Sequence, residues 1–272
     1  MKLQSKVAIV TGTSPNIGGG IAEGLADAGA ALVCVDARAE NAQDCAAYIK
    51  SRGGRAIAVT CDVCDEQQVK STVAAACKAF DGVDILVNNA AFFNKKGVLD
   101  MPLGEWRQQI DVILTGAFLF TKYVARAMLD GNRKGSIINI ISTAGHQGEP
   151  GNIAYSTAKC GLMNFTRSAA MELVRHGIRV NSLTPTATDP SESFERAARW
   201  GRTDTGDTGV MAVMEPFRAA VPMQKLPVPS DYGHAAAFLA SDDARMITGT
   251  DLRVDAGAIA RYWAWNPSTR TQ

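Results

Sequence analysis

Seven short apolar runs alternate with amphipathic stretches along the chain, and this alternation restricts the possible folds more than any other feature of the sequence. The runs lie at 6–11, 31–35, 56–61, 85–87, 136–141, 178–183 and 252–254. Strands that are almost continuously hydrophobic are covered on both faces, whereas half-exposed strands alternate between polar and apolar residues. The sequence therefore predicts an α/β fold with a doubly wound parallel β-sheet flanked by helices.

Helical periodicity fills the intervals between these runs. The main predicted helices cover 17–28, 42–52, 66–80, 105–129, 155–176 and 231–239. A chain of 272 residues is long enough for one or two domains, but no linker or low-complexity segment divides this one. We therefore predict a single domain over residues 1–272.

The charge balance and the apolar runs exclude several classes of function. Lysine and arginine number 28 against 27 aspartate and glutamate residues, so the formal net charge is +1. Binding to a nucleic-acid backbone requires an excess of positive charge. The longest apolar run, 112–120, is too short for a membrane span, and the N-terminus lacks a signal-peptide core. These features predict a cytoplasmic protein that binds neither nucleic acid nor a membrane.

The cysteines do not indicate a metal site. Cys61 and Cys64 have CxxC spacing, but no second pair of cysteine or histidine residues completes a zinc site. We therefore predict no metal, with these cysteines acting as small apolar residues at the end of a buried strand.

The segment from 184 to 229 breaks the regular alternation. It is rich in proline and contains only short helical stretches, at 191–200 and 210–220. A long irregular segment inside a compact domain is usually a binding loop, so we predict a substrate lid over about 186–229. A surface excursion that supports an oligomer contact is the alternative.

The first predicted strand leads directly into a glycine-rich segment, Thr-Gly-Thr-Ser-Pro-Asn-Ile-Gly-Gly-Gly at 11–20, and then into a helix. A dinucleotide-binding loop requires this order, because it needs a tight turn, a close backbone approach and helix-terminal N–H groups that face a pyrophosphate. The sequence therefore predicts a Rossmann-type sheet that binds a dinucleotide.

Asp36 stands at the end of the second predicted strand, 24 residues after Gly12. A carboxylate at this position can accept both hydroxyls of the adenosine ribose and repels a 2′-phosphate. We therefore predict NAD as the cofactor. Arg38 lies close and leaves NADP as the alternative, and a capping or solvated role for Asp36 also stays open.

Several motifs follow one another in the order typical of one enzyme family. They are Thr11-Gly12 to Gly18, Asp62-Val63, Asn88-Asn89-Ala90, Ser142, Tyr155-x-x-x-Lys159, Asn181 to Pro185, and Val254-Asp255 to Gly257. From residue 6 to about 257 the sequence resembles the short-chain dehydrogenase/reductase family. The resemblance implies an oxidoreductase that moves a hydride between a nicotinamide cofactor and a small-molecule alcohol or ketone.

The resemblance also implies cofactor contacts along the carboxyl edge of the sheet. Asp62 and Val63 would flank the adenine, Asn89-Ala90 would lie along the ribose, and the backbone of Thr188 would hold the nicotinamide carboxamide. The predicted cofactor-binding residues are Gly12, Asn16, Ile17, Gly18, Asp36, Asp62, Val63, Asn89, Ala90, Tyr155, Lys159, Pro185 and Thr188.

Ser142, Tyr155 and Lys159 match the catalytic set of the family. Tyr155 and Lys159 are four residues apart at a helix start, so their side chains share one helix face. A phenol of pKa ~10 is a poor base, but a cation at ~4 Å would lower that pKa by up to about three. Tyr155 is therefore the predicted base, and Ser142 is predicted to hold the substrate oxygen.

Two departures from the family pattern concern the site. Asn16 replaces a glycine, and we expect it to keep the loop conformation because asparagine tolerates a left-handed backbone. Ile113 replaces the asparagine that in the family holds a water between the catalytic lysine and solvent. The sequence therefore predicts an altered proton relay in an active enzyme.

The predicted substrate pocket, by resemblance, lies between the ends of the fourth and fifth strands and the lid. Its main predicted residues are Phe93, His146, Gln147 and Trp200. Aromatic and methionine side chains around it favour a hydrophobic, cyclic or aromatic secondary alcohol. His146 would select the substrate by a hydrogen bond, or it is a half-exposed loop histidine. An NADPH-linked carbonyl reductase, or an NAD-binding regulatory protein with impaired catalysis, are the alternatives.

The C-terminal tail, 256–272, contains Tyr262, Trp263 and Trp265. Three large aromatic side chains so close together would be a liability on the surface of a monomer. They either close over the lid of the same subunit or dock on a neighbour. Because members of the family are commonly dimers or tetramers, we predict a homotetramer or homodimer with the tail at the interface.

Overall fold

A parallel sheet of seven strands forms the centre of the molecule, in a computed structural model that describes residues 1–202 and 208–262. The strands are β1 (Val7–Thr11), β2 (Ala31–Asp36), β3 (Ala56–Thr60), β4 (Ile85–Asn88), β5 (Gly135–Ile140), β6 (Ile178–Pro185) and β7 (Asp251–Val254). Every strand pair is parallel, and the order across the sheet is β3-β2-β1-β4-β5-β6-β7. The predicted fold class is confirmed, and the predicted strands agree with the observed ones to within about two residues.

Helices connect the strands and cover both faces of the sheet. They are α1 (Ile17–Asp27), α2 (Ala39–Ser51), α3 (Glu66–Phe80), α4 (Leu103–Ile110), α5 (Gly116–Asp130), α6 (Ile153–Leu173), α7 (Ser191–Arg199), α8 (Thr208–Ala220) and α9 (Pro229–Ala240). The two short helical stretches predicted in the proline-rich segment correspond to α7 and α8. The predicted helix 105–129 is interrupted by a π-helical turn, Asp111–Thr115, between α4 and α5.

The order in which the chain adds strands to the sheet reverses between β1 and β4, and this reversal determines where a ligand can bind. From β1 the chain builds the sheet outward through β2 and β3, and it then returns to place β4 on the other side of β1. The loops that follow β1 and β4 diverge to opposite faces and leave a crevice at the carboxyl ends of the strands. The glycine-rich segment and the residues after β4 and β5 therefore meet at one edge.

Two apolar layers hold the sheet between its helices. One layer packs α1 and α9 against the sheet and includes Leu25 and Tyr232, which are wholly buried. The other packs α5 and α6 against the opposite face and includes Phe120. Helices α1 and α9 approach closely because Gly24 and Gly233 face each other, and a Cβ on Gly24 would lie 2.8 Å from the Gly233 Cα.

The long helix over Leu103–Asp130 is apolar enough to cross a membrane by length and composition. The search for uninterrupted apolar runs did not identify a membrane-span candidate of this length, because polar residues are spaced along the helix. Half of its most apolar window is buried inside the fold. A core helix that packs on a sheet passes the same test, so this feature is weak evidence for a membrane span.

Candidate active site

The glycine-rich segment after β1 forms an open cradle at the start of α1. Gly12 has a φ of +73°, which favours glycine, and its N–H donates to the Val35 carbonyl oxygen at 2.7 Å. A Cβ on Gly18 would lie 1.9 Å from the Gly12 carbonyl oxygen, so only glycine fits there. The first turn of α1 contains no acidic residue, and no side chain caps its N–H groups. The Gly19 N–H donates to the Ser14 carbonyl oxygen at 2.9 Å. Within the described residues the N–H groups of Ile17 and Gly18 have no such partner, and they are available to an anion such as a pyrophosphate.

Asn16 does not use the left-handed backbone that the sequence analysis expected. Its φ is −82°, and its Oδ1 accepts a hydrogen bond from the Ser193 hydroxyl at 3.3 Å. The glycine of the family pattern is therefore replaced here by a side chain that links the cradle to α7. Ile17, the next predicted contact, is the first residue of α1 and packs partly buried against the core.

Asn89 and Ala90 hold the cradle from the neighbouring strand. The backbone N–H groups of both residues donate to the Thr11 hydroxyl, at 3.0 and 3.1 Å. The Asn89 side-chain amide donates to the carbonyl oxygens of Thr11 and Gly12, at 3.0 and 2.9 Å. The amide nitrogen of Asn89 is therefore committed to the shape of the loop, and Asn89-Ala90 can meet a ribose through other atoms.

Asp36 lies half-buried at the end of β2, at the carboxyl edge of the sheet. Its Oδ1 accepts hydrogen bonds from the Arg38 N–H at 2.9 Å and from the Asn41 side chain at 3.1 Å. These bonds orient the carboxylate, and within the described residues no hydrogen bond occupies Oδ2. The structure therefore leaves one carboxylate oxygen of Asp36 for a ribose hydroxyl.

Asp62 and Val63 follow β3 at the same end of the crevice. Asp62 accepts a hydrogen bond from the Cys64 N–H at 2.9 Å, which closes a tight turn. Val63 is buried against Gly116, where a Cβ would lie 2.7 Å from the Val63 Cγ2. The turn is thereby fixed against α5, so its position at the crevice is determined by packing.

The loop after β6 carries the two remaining predicted cofactor contacts. Pro185 is the last residue of β6. The Thr188 hydroxyl donates to the Thr186 carbonyl oxygen at 3.2 Å and lies 3.1 Å from the phenol oxygen of Tyr232 on α9. Its side chain is thus held by the protein, which leaves its backbone for the predicted contact with the carboxamide.

Ser142, Tyr155 and Lys159 meet where β5 ends and α6 begins. Ser142 and Tyr155 line one cavity, where hydrogen bonding by Ser142 acts to lower the pKa of the Tyr155 phenol. The Lys159 Nζ atom lies 5.5 Å from the centre of the Tyr155 ring and donates to the Ile140 carbonyl oxygen at 2.6 Å. The structure therefore brings the three predicted catalytic side chains together.

Burial opposes the ionisation state that the sequence analysis assumed for this set. Burial raises the pKa of Tyr155 above its usual value, although the hydrogen bond from Ser142 acts in the opposite direction and the charge of Glu149 raises the pKa further. Burial also lowers the pKa of Lys159 to about 7. The simple Coulomb argument omitted this desolvation, so the expected phenolate-lysine pair is not favoured in the cofactor-free chain.

The cavity beside Tyr155 has a volume of about 400 Å³ and an aromatic wall. Two of the residues predicted for the pocket, Phe93 and Gln147, line it, and the Phe93 and Tyr155 ring centres are 5.5 Å apart. Phe217 from α8 also lines it. The proline-rich segment therefore contributes to the cavity through α8.

The other two predicted pocket residues, His146 and Trp200, do not line this cavity. The His146 Nε2 atom lies 3.1 Å from the Thr184 hydroxyl and 3.3 Å from the Asp251 Oδ2, so its ring points toward β6 and β7. Trp200 packs against α1, and its ring is 3.3 Å from where a Cβ on Gly19 would be. Trp200 is misplaced in the prediction because α7 runs toward α1, away from the substrate cavity.

A buried ion pair fastens α7 to the cofactor cradle. The Arg196 Nε atom donates to the Glu23 Oε1 on α1 at 2.9 Å, and its Nη1 donates to the Pro15 carbonyl oxygen at 2.9 Å. Arg196 is only 2% exposed. The sequence analysis missed this contact because the two partners are 173 residues apart and either charge alone resembles a solvated helix residue.

Ile113 lies on the π-helical turn and is buried with Ala158 and Leu162 of α6, next to Tyr155. A π turn adds one residue to a helical turn and changes the direction of nearby side chains. An apolar side chain therefore occupies the position where the family pattern has an asparagine. The predicted tail residues Trp263 and Trp265 lie outside the described residues, and Tyr262 is exposed.

The residues present fit a nicotinamide dinucleotide. The glycine-rich cradle keeps its shape only because Gly18 lacks a Cβ, and this shape lets a ligand come close to the backbone. The start of α1 offers uncapped N–H groups, and Asp36 offers a carboxylate oxygen. Lys159 is buried and, within the described residues, has one hydrogen-bond acceptor for its three N–H donors, so a bound ribose hydroxyl would satisfy another.

Comparison with known proteins gives the same family throughout. A family model described as enoyl-(acyl carrier protein) reductase matches residues 12–258. A 3-oxoacyl-[acyl-carrier-protein] reductase from Synechocystis sp. is 36% identical over 261 residues, covering 94% of this chain and 98% of that protein. A cis-4-hydroxycyclohexanecarboxylate dehydrogenase from Sinomonas cyclohexanicum is 37% identical over 258 residues, covering 94% and 97%. The crystal structure of an NAD⁺-bound xylitol dehydrogenase superposes with a TM-score of 0.83 at 32% identity, covering 93% and 99%.

These likenesses and the parallel sheet define the chain as a Rossmann-type oxidoreductase. The chain belongs to the short-chain dehydrogenase/reductase family, as the motifs predicted.

Proposed function

We propose that this protein is an NAD-dependent dehydrogenase of a hydrophobic, cyclic or aromatic secondary alcohol, and a ketone reductase in the reverse direction. One observation carries the proposal. Ser142 and Tyr155 line one cavity at the carboxyl edge of the sheet, and the Lys159 Nζ atom lies 5.5 Å from the centre of the Tyr155 ring. A substrate in the cavity can therefore touch both polar side chains while the cofactor occupies the crevice.

Each of the three side chains has a distinct task in this proposal. The Ser142 hydroxyl holds the substrate oxygen, since it can both donate and accept a hydrogen bond. The Tyr155 phenolate takes the hydroxyl proton of the alcohol, and in the reverse direction the phenol returns a proton to the ketone oxygen. A bound nicotinamide would supply the hydride acceptor and a nearby positive charge. Lys159 keeps a proton near the phenol oxygen and favours its ionised form.

The preference for NAD rests on Asp36. Its free carboxylate oxygen suits a ribose hydroxyl and repels a 2′-phosphate. The similar xylitol dehydrogenase structure holds NAD⁺. NADP remains the second candidate because Arg38 stands two residues away and its exposed side chain could pair with a phosphate.

The shape and lining of the cavity support a cyclic substrate. Phe93 and Phe217 offer flat apolar surfaces to the cavity, and a volume of about 400 Å³ suits a small ring. Two similar proteins act on six-membered carbocycles by name, a cis-4-hydroxycyclohexanecarboxylate dehydrogenase and a 2,5-dichloro-2,5-cyclohexadiene-1,4-diol dehydrogenase. We extend this ring-shaped substrate class to the present chain.

We also propose that the protein is a cytoplasmic homotetramer or homodimer. Phe118 on α5 and Met171 on α6 are 45% and 64% exposed. Apolar side chains of this size on the outer faces of paired helices suit an interface between subunits. A monomeric mass by light scattering would exclude this assembly.

A panel of secondary alcohols tests the activity. Cyclic, aryl, sugar and steroid alcohols are offered with NAD and with NADP, and cofactor reduction is followed at 340 nm. We expect turnover with NAD and a cyclic alcohol, and its loss by at least about a thousandfold in Tyr155→Phe. NAD binding without turnover across the panel would favour a regulatory protein that has lost catalysis.

A further inference from the structure

Two cationic side chains stand at the substrate cavity without a carboxylate partner. Lys95 and Arg261 both line it, and neither forms an ion pair within the described residues. We infer that the substrate carries a carboxylate, which binds between Lys95 and Arg261 while its hydroxyl carbon faces Ser142 and Tyr155. This inference rests on the proposed function and specifies its substrate class as a cyclic hydroxy acid.

Lys95 and its neighbour Lys96 differ in the surroundings of their charges. Lys96 pairs with Glu105 at 2.7 Å and does not line the cavity. Asn94 also donates to Glu105, so this carboxylate is fully engaged on that side of the loop. Lys95 is exposed, lines the cavity and has no such partner. In the loop after β4, Lys96 therefore pairs with Glu105, whereas Lys95 is left to bind a ligand.

Arg261 reaches the cavity from the C-terminal side and is oriented by a backbone contact. Its Nη1 atom donates to the Ala220 carbonyl oxygen at 2.8 Å, and Ala220 itself lines the cavity at the end of α8. A guanidinium group has five N–H donors, and this contact uses one of them. The remaining donors can form the paired hydrogen bonds that arginine makes with a carboxylate.

One of the residues that line the cavity, Glu149, is acidic, and its charge favours one orientation of the bound substrate. Glu149 accepts a hydrogen bond from Asn152 at 3.0 Å, and its charge acts on the Tyr155 phenol. Glu149 therefore disfavours a substrate carboxylate beside Tyr155. The two cations attract it at Lys95 and Arg261, so a hydroxy acid would enter with its hydroxyl group inward.

The aromatic walls explain why the anion should be attached to a ring or short apolar body. Phe93 and Phe217 lie among the same lining residues as the cations. A ligand that satisfies both features has an apolar middle and one charged end. Cyclohexanecarboxylate is the simplest probe with these properties, and its methyl ester has the same ring without the charge.

Direct binding tests the inference separately from catalysis. Cyclohexanecarboxylate and its methyl ester are titrated calorimetrically into the NAD-saturated protein. We expect the acid to bind at least about tenfold more tightly than the ester, and Lys95→Met or Arg261→Gln to remove about that factor for the acid only. Lys96→Met and Arg245→Gln are matched controls, because these cations lie outside the cavity. The controls should leave both affinities within about twofold.

Turnover then separates this inference from the proposed function. With 4-hydroxycyclohexanecarboxylate as substrate, the two cavity variants should raise KM and leave kcat nearly unchanged, while cyclohexanol is affected by neither variant. Equal binding of acid and ester, or an equal loss for both in the variants, would overturn the inference even if cyclohexanol is oxidised. A preference for an aminocyclohexanol over the hydroxy acid would also overturn the inference, because Glu149, and not the two cations, would then bind the charged group of the substrate. Tight acid binding without any turnover would refute only the proposed function.

Discussion

The Nζ atom of Lys159 donates a hydrogen bond of 2.6 Å to the carbonyl oxygen of Ile140, in a position that solvent does not reach. Within the described residues this ammonium group has no carboxylate partner. Its charge is therefore uncompensated until a ligand supplies acceptors, and burial lowers the pKa of Lys159 to about 7. A catalytic lysine held in this way costs stability in the free protein and becomes favourable when the cofactor binds.

Replacing Lys159 by methionine should stabilise the cofactor-free protein at neutral and acidic pH. An unfolded lysine has a pKa near 10.4, so between pH 7 and 10 the unfolded chain binds more protons than the folded chain, and wild-type stability rises with pH. The gain from Lys159→Met is therefore largest below pH 7, on the order of 2–4 kcal/mol, and shrinks toward pH 10. Urea unfolding at pH 6.5, 8 and 9.5 measures this difference.

The exposed Lys78 on α3 provides the control for this experiment. Lys78→Met should change the free energy of unfolding by less than about 0.5 kcal/mol at every pH. A difference between Lys159→Met and wild type that stays constant from pH 6.5 to 9.5 would refute the account of a strained, buried ammonium group.

Ile113→Asn should change the pH dependence of turnover. The isoleucine is buried beside Tyr155 and the helix that carries Lys159, where an amide could hold water near the ammonium group. Hydrogen bonds to a charged lysine raise its pKa, so the high-pH limb of kcat should move to higher pH. Ile113→Val keeps the site apolar and should leave the profile unchanged. Identical pH profiles for wild type and Ile113→Asn, with Tyr155→Phe inactive, would refute the prediction.

Asp36→Ala should weaken the preference for NAD. The variant loses the carboxylate that accepts from Arg38 and Asn41, and with it the repulsion of a 2′-phosphate. We expect kcat/KM with NAD to fall about tenfold or more and kcat/KM with NADP to rise. Glu40→Gln, an exposed acid in the first turn of α2, should change neither value. A wild-type enzyme that already prefers NADP would contradict the assignment.

The sequence could predict the parts of this protein that depend on local patterns. The seven strands were found because parallel strands covered on both faces are continuously apolar, and Gly12 and Gly18 stand out because the cradle excludes any side chain. Tyr155 and Lys159 meet because a helix places residues four apart on one face.

Other features depend on contacts that no local pattern encodes. The direction of His146 is determined by Asp251, which is distant in sequence. The π turn at Ile113 shifts the helical phase by one residue, and hydrophobic periodicity does not resolve such a shift. The ionisation of Tyr155 and Lys159 depends on burial, which a distance-based Coulomb argument leaves out.

The strongest stability effect outside the core should come from Arg196, which joins α7 to the cofactor cradle. Its removal leaves the Glu23 carboxylate buried, with Arg199 at 3.6 Å as the remaining cation beside it in the described part of the chain. We expect Arg196→Met to lower the free energy of unfolding by about 2–4 kcal/mol, since a buried charge without its partner is costly. It should also weaken NAD binding severalfold, because the hydrogen bond to Pro15 in the cradle is lost.

A double-mutant cycle separates the ion pair from simple loss of packing. Glu23→Gln combined with Arg196→Met should cost less than the two single changes added together, with a coupling of about 1–3 kcal/mol. Arg199→Met is the matched control, because its side chain is 39% exposed and its pair with Glu23 should contribute at most about 1 kcal/mol. Urea unfolding provides the free energies, and calorimetric titration with NAD provides the affinities. Additive single effects would mean that Arg196 supports the cradle through its aliphatic packing and not through its charge.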